Sequence, residues 1–228
     1  MKIVALVPMK ANSERVKGKN FKNFCGKPLF RWILDTLNSI KDIDSIVINT
    51  DAIDLFKKYG LDERAKIIFR ERPDEIRGDL VSMNRVIEND VNNLDADIFL
   101  MTHSTNPLLS KQSIEKCINL FKDAYRKNKA DSLFTVNKIQ ERFYDKDCKP
   151  INHDPENLLR TQDLTPWYQE NSNLYIFTKE SFTKSKARIG KRPIMFETPP
   201  HESLDIDTPS DWELGKVLVE YYQKKGVI

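Results

Sequence analysis

Apolar positions along the chain follow two rhythms, and their alternation predicts the architecture. Residues 3–7 form a continuous apolar run closed by Pro8. Such a run reads as a strand buried on both faces, as in a parallel sheet. Comparable runs recur at 45–49, 65–69, 97–101 and 132–136, with further ones at 174–177 and 192–196. Between them, apolar residues return at helical spacing over 28–37, 54–59, 82–91 and 111–127, the last with Ser110 as its N-cap. A final amphipathic helix over 212–225 begins near Ser210. This alternation predicts an α/β domain whose mostly parallel sheet is covered on both faces. Ligands of such sheets bind beyond the carboxyl ends of the strands. The loops after Val7, Asn49, Met101 and Val136 are therefore expected to share one site, bringing Lys10, Ser13, Arg15, Asp51, His103 and Lys138 to it.

The rhythm breaks after Lys138. Residues 141–170 are polar, contain Pro150, Pro155 and Pro166, and show no helical period. A long irregular segment inside one domain reads as a functional insertion or an intersubunit arm. No internal repeat divides the 228 residues, and the chain is expected to be one domain, 1–228, with 141–170 as an arm or insertion within it.

Composition removes several classes of function. Thirty-seven basic residues against 34 acidic ones leave a net charge of +3, short of the bias of a nucleic-acid binder. The basic loop 10–20 also lacks aromatic residues on which bases would stack. No apolar run is long enough to cross a bilayer, and residues 1–8 are too short for a signal-peptide core. Cys25, Cys117 and Cys148 lie far apart, which fits a reducing compartment without a disulfide framework. His103, His153 and His201 are equally scattered, so zinc is not expected. The expectation is a cytoplasmic protein that binds neither nucleic acid nor membrane.

Three stretches carry chemistry. The loop after the first strand holds Lys10, Ser13, Arg15, Lys17 and Lys19, cations and a hydroxyl suited to a polyphosphate. It matches neither the Walker nor the dinucleotide glycine pattern, and it reads equally as a solvated basic loop. Asp205 and Asp207 are two residues apart, so extended backbone places both on one side, where paired carboxylates suit Mg²⁺. The alternative is that Asp207 or Ser210 only caps the last helix. Residues 160–175 include Arg160, Gln162, Tyr168, Asn171 and Tyr175, a set that can clamp an anion and bind hydroxyls, or tie down its own loop.

Taken in order, these residues resemble a known family. The blocks are the first loop, Phe24-Cys25-Gly26-Lys27-Pro28-Leu29, Asn49-Thr50-Asp51, Arg72-Pro73 with Asp79 and Ser82, the 160–175 set, and Asp205-Ile206-Asp207-Thr208-Pro209. Together they resemble the acylneuraminate cytidylyltransferases and their 3-deoxy-manno-octulosonate relatives. The resemblance implies a Rossmann-like nucleotidyltransferase fold and a homodimer joined by a mid-chain arm. It implies a reaction in which an acceptor oxygen attacks the α-phosphorus of CTP and pyrophosphate leaves. Lys10, Ser13, Arg15, Lys19, Asn20, Arg72, Asp79 and Ser82 would hold the nucleotide, with Lys19, Arg15 and Asp207 at the reacting groups. Asp205 and Asp207 would hold Mg²⁺. His103, Asn106, Lys138, Arg160, Gln162, Tyr168, Asn171 and Tyr175 would face the acceptor.

Three departures stand out. Lys10 replaces an arginine of the family pattern, His103 stands where a glutamine is usual, and Glu170-Asn171-Ser172-Asn173 replaces an Asn-Gly pair. Two of the three fall on the acceptor side. A nonulosonic acid is the expected acceptor, with a small phosphonate or phosphorylated acid as the alternative. An Asp-x-Asp glycosyltransferase and a non-catalytic nucleotide-binding module are the competing classes.

Overall fold

The computed structural model describes residues 1–11, 13, 15–61 and 66–226. The chain opens with β1 (Ile3–Leu6), a short hairpin of β2 (Asn23–Phe24) and β3 (Lys27–Pro28), and α1 (Leu29–Asn38). Then come β4 (Ser45–Thr50), α2 (Ile53–Lys58), β5 (Ile67–Glu71), α3 (Met83–Asn93), β6 (Ile98–Thr102) and α4 (Lys111–Arg126). The second half holds β7 (Ser132–Ile139), β8 (Trp167–Thr178), α5 (Lys179–Ser185), β9 (Pro193–Glu197) and α6 (Pro209–Lys224).

One sheet runs in the order β5-β4-β1-β6-β8-β7-β9. Strand β8 is antiparallel to both its neighbours, and the other pairings are parallel. In β1, Ile3 and Ala5 point to one face and Val4 and Leu6 to the other. The first face is covered by Ile33, Leu34 and Leu37 of α1, Phe56 of α2, and Ile114, Ile118 and Phe121 of α4. The second is covered by Ile87 and Val91 of α3 and Phe182 of α5. The continuous apolar runs in the sequence follow from this burial on both sides.

A third apolar cluster does more to build the site. Val16 of the basic loop, Phe24, Trp32, Ile206, Trp212 and Val219 pack together. Val16 and Ile206 lie at opposite ends of the chain, and sharing one cluster brings the loops that carry them side by side.

Several expectations are corrected. Strand β5 starts two residues later than expected, and Ala65 lies outside the described residues. Within 141–170, residues 167–170 belong to β8 and pair with Val136–Ile139. All four are exposed, so no apolar alternation marks the strand. Helix α5 buries only Ser181 and Phe182, too little to show a period. Helix α6 is capped by Thr208, in a capping box with Asp211, rather than by Asp207 or Ser210.

Candidate active site

The expected convergence at the strand ends produces one cavity of about 610 Å³. Its wall contains Lys10, Ser13, Arg15, Lys19 and Asn20 of the first loop, Arg72 and Asp79 after β5, and His103 after β6. Asp205 and Asp207 complete the wall. This is a volume suited to a small ligand. Asp51 stands behind it, accepting the Ala11 N–H at 2.9 Å and bracing the basic loop.

The two ends of the chain meet through charge. The Lys19 ammonium donates to the Ile206 carbonyl at 2.8 Å and to Asp207 Oδ1 at 2.9 Å. Arg15 pairs with Asp207 Oδ2 at 2.9 Å. Lys19 is mostly buried, its side chain 12 % exposed, while Arg15 reaches out into solvent. An ammonium has three hydrogens, and these contacts use two. Lys10 pairs with Asp79 on the other side of the cavity. Asn20 fixes the loop from within, donating to the Lys10 carbonyl at 3.0 Å and accepting from Ser104 at 2.7 Å.

Because Thr208 caps α6, the Asp207 carboxylate is not spent on the helix and meets Lys19 and Arg15 at the cavity wall. Residues 204–207 form no strand, yet Ile206 points into the third cluster and both aspartates line the cavity. Burial raises the Asp205 pKa; a hydrogen bond from Thr105 pulls it down and the charge of Asp207 pushes it up. Asp205 Oδ1 is buried without a hydrogen-bond partner. A buried oxygen beside a second carboxylate fits a hard divalent cation, which takes one or two protein carboxylates and completes its shell with phosphate and water. The pair therefore fits Mg²⁺. No three His, Cys, Asp or Glu side chains among the described residues cluster as a self-sufficient metal cage.

Arg72 lines the cavity, but much of its guanidinium is committed. Nε donates to Asn49 Oδ1 at 2.8 Å, and a terminal nitrogen to the Asn49 and Met9 carbonyls at 2.9 and 3.3 Å. Burial lowers its pKa, while Asp51 and Asp90 push it back up. Asn49 in turn donates to Asp90 Oδ1 at 2.8 Å, and Arg70 meets the same oxygen at 3.0 Å. This buried network under the nucleotide side has no signature in the sequence. Ser82 is an exposed N-cap of α3, next to Val81 and Met83 of the wall.

The acceptor-side expectations divide. His103 lines the cavity. Burial lowers its pKa to about 4, with Arg188 adding to the effect and Asp207 opposing it, so the ring is neutral near pH 7. Asn106 and Asn171, expected to face the acceptor, stand behind the wall. The pairing of β7 with β8 slips between Phe134 and Val136, leaving residues 171–174 as a bulge. A bulge frees backbone and polar groups that need local partners. Asn171 bonds Thr135, Asn137 and Thr198, and Asn106 bonds Asn173 and the Leu204 carbonyl. The bulge pushes Ser172 into the wall with φ 59°, in the left-handed region where the family pattern has glycine. Tyr175 is buried, bonded to Glu170 and to Ser172 at 3.2 Å; burial, with Glu170, pushes its pKa up to about 12. Lys138 is exposed on β7, and Arg160, Gln162 and Tyr168 are exposed within residues 141–170; all four lie outside the cavity, and Arg160 is spent on Asp163. The sequence reading missed Ser104, Thr105 and Arg188, which all line the wall.

Comparisons with known proteins give the family and the fold. The chain is 28% identical to the pseudaminic acid cytidylyltransferase of Campylobacter jejuni subsp. jejuni (strain 81-176), over 96% of both chains. It is 26% identical to the CMP-N,N'-diacetyllegionaminic acid synthase of Legionella pneumophila subsp. pneumophila, over 98% of this chain and 99% of that one. The solved structure of CMP:2-keto-3-deoxy-manno-octonic acid synthetase complexed with CTP has the same fold, with a TM-score of 0.67 at 15% identity, covering 97% of this chain and 99% of that one. A family model described as cytidylyltransferase matches residues 4–226, and the chain belongs to that family.

Proposed function

We propose that the chain transfers CMP from CTP to a nonulosonic sugar acid. The acceptor hydroxyl oxygen forms a bond to the α-phosphorus as its proton passes to water, the bond from that phosphorus to the bridging oxygen breaks, and pyrophosphate leaves. The observation that carries this reading is the convergence of Lys19 and Arg15 on Asp207 beside Asp205 in one cavity. The third hydrogen of the Lys19 ammonium is available to a phosphate oxygen, and exposed Arg15 can follow the triphosphate without desolvation. Asp205 and Asp207 would hold Mg²⁺, which when bound neutralises charge on the phosphates. Neutral His103 can accept a hydrogen bond from an acceptor hydroxyl, while its low pKa makes it a weak base. The relatives named above act on pseudaminic and legionaminic acids, which supports the acceptor class.

A homodimer through the arm belongs to the same reading. Leu158, Leu159, Trp167 and Tyr168 are exposed on or beside it, an apolar surface that a second copy would cover. Light scattering at micromolar concentration is expected to give twice the chain mass. Unpaired Cys25, Cys117 and Cys148 fit a cytoplasmic setting, and no helix among the described residues is long and apolar enough to cross a membrane.

Pyrophosphate release from CTP, UTP, ATP and GTP is the test, with Mg²⁺ and a panel of nonulosonic acids, 3-deoxyoctulosonate, phosphonates and phosphorylated acids. Turnover is expected with CTP and a nonulosonic acid. Lys19→Met and Asp207→Asn should each lower kcat/KM by about 100-fold or more. Turnover with a phosphonate alone would replace the acceptor, and no CTP turnover with any acid would overturn the reaction.

A further inference from the structure

The first loop accounts for the cations that face a triphosphate, yet one wall of the cavity holds another. Arg188 lies after α5 and lines the cavity together with His103 and Ser172. Its guanidinium stacks on the Tyr175 ring at 4.1 Å from the centroid. Its one described hydrogen bond is a weak contact to Met101 Sδ at 3.8 Å, and it has no ion pair with a carboxylate among the described residues. A part-buried arginine with nearly all its donors unused is costly unless an anion completes it.

The surrounding chain holds this charge in place. Ile189 packs against the core cluster under α3 and α5. The Gly190 N–H donates to Ser132 Oγ at 2.8 Å, and the Lys191 and Arg192 N–H groups donate to Asp131 at 3.1 and 3.0 Å. A Cβ at Gly190 would lie 2.4 Å from both Asp131 Oδ1 and Ser181 Oγ, so the loop sits closer than any other residue allows. The contact with the Tyr175 ring holds the guanidinium where it lines the cavity. Pre-organised planar donors of this kind suit a carboxylate gripped by two parallel hydrogen bonds.

We propose that Arg188 is the acceptor-binding residue that clamps the carboxylate of the sugar acid, in the cavity it shares with the first-loop cations. This deepens the acceptor reading given above and rests on it. The clamp orients the acid so that its hydroxyl meets the α-phosphorus, and acids lacking a free carboxylate are rejected.

The test uses the full chain, CTP, Mg²⁺, and pseudaminic, N-acetylneuraminic and N,N'-diacetyllegionaminic acids, each as the free acid and as its C1 amide. Arg188→Met should raise KM for the free acid by about 10- to 100-fold while KM for CTP stays within about twofold. Arg188→Lys should recover part of the loss. The amide should be poor with the wild type and no poorer with Arg188→Met. An unchanged KM for the acid, a shift in KM for CTP alone, or an equal further loss with the amide would overturn the clamp. Absence of both turnover and calorimetric binding of all three acids by the wild type would overturn the acceptor reading and the clamp with it. Turnover that Arg188→Met leaves intact overturns the clamp only. Retained CTP affinity and an unchanged melting temperature certify the variants as folded.

Discussion

Asp90 is the hidden support of Arg72 in the cavity wall, and removing it should be costly. Its side chain is 1% exposed. One oxygen takes two hydrogen bonds, from Asn49 at 2.8 Å and Arg70 at 3.0 Å, and Asn49 passes the support on to Arg72. Burial raises the Asp90 pKa, while Asn49, Arg70 and Arg72 favour its charged form. Asp90→Ala leaves Asn49 and Arg70 without their acceptor and two guanidinium charges, Arg70 and Arg72, without a counter-charge. Breaking a buried pair from one side costs about 3–5 kcal/mol. At about 2–4 °C per kcal/mol for a domain of this size, the melting temperature should fall by roughly 6–20 °C. Asp90→Asn keeps Oδ1 as an acceptor and loses only the charge, so it should lose about half as much. Thermal unfolding followed by circular dichroism, with urea titration as a check, measures both. In Asp90→Ala, KM for CTP should also rise, because Arg72 loses the Asn49 anchor, while KM for the acceptor holds. A melting temperature within about 2 °C of the wild type, or equal losses in the two variants, would refute the network argument.

Two further outcomes follow from the site. The His103 pKa in the fold, about 4, lies below its ordinary 6.5 because of burial and Arg188. Between those values the unfolded chain binds a proton that the fold refuses, so stability falls as pH drops from 6.5 towards 4, by at most about 3 kcal/mol from this group. His103→Gln should lose less over that window in urea titrations at pH 7 and pH 4.5; identical losses would contradict the burial. Gly190→Ala should destabilise the protein by about 1–3 kcal/mol through the clash with Asp131 and Ser181. Thermal unfolding checks this, and a neutral substitution would mean that the loop after α5 is not held as described.

The placement of the first-loop cations and His103 in the cavity was legible because these residues sit in short loops directly after predictable strands. Once β1 and β6 are read from their apolar runs, Lys10, Arg15, Lys19 and His103 can only emerge at the carboxyl edge. Asp205 and Asp207 were legible for another reason: Ile206 between them had to find a core, so its neighbours turned the other way. The period-two argument survived although no strand forms there. What no sequence period supplied was the Asn49–Asp90–Arg72 network. Asp90 falls on the buried stripe of α3, where a charged residue normally reads as surface, and only its three-dimensional partners explain it.

The side of the cavity around His103 and Ser172 was harder to read because a bulge shapes it. A slip in the pairing of β8 decides which of residues 171–174 turns inwards, and alternation cannot count through a slip. Asn106, Asn171 and Asn173 attract attention as polar residues near a site, yet they are spent on one another and on neighbours such as Thr135, Asn137, Thr198 and the Leu204 and Glu202 carbonyls. Arg188 hides for the opposite reason. It lies among Lys184, Lys186, Lys191 and Arg192, a run that reads as a solvated cationic face. Two neutral neighbours separate it from that face: Ile189 needs the core, and Gly190 allows the chain to approach Asp131 closely. Together they turn one cation of the run inwards, onto Tyr175 and into the cavity.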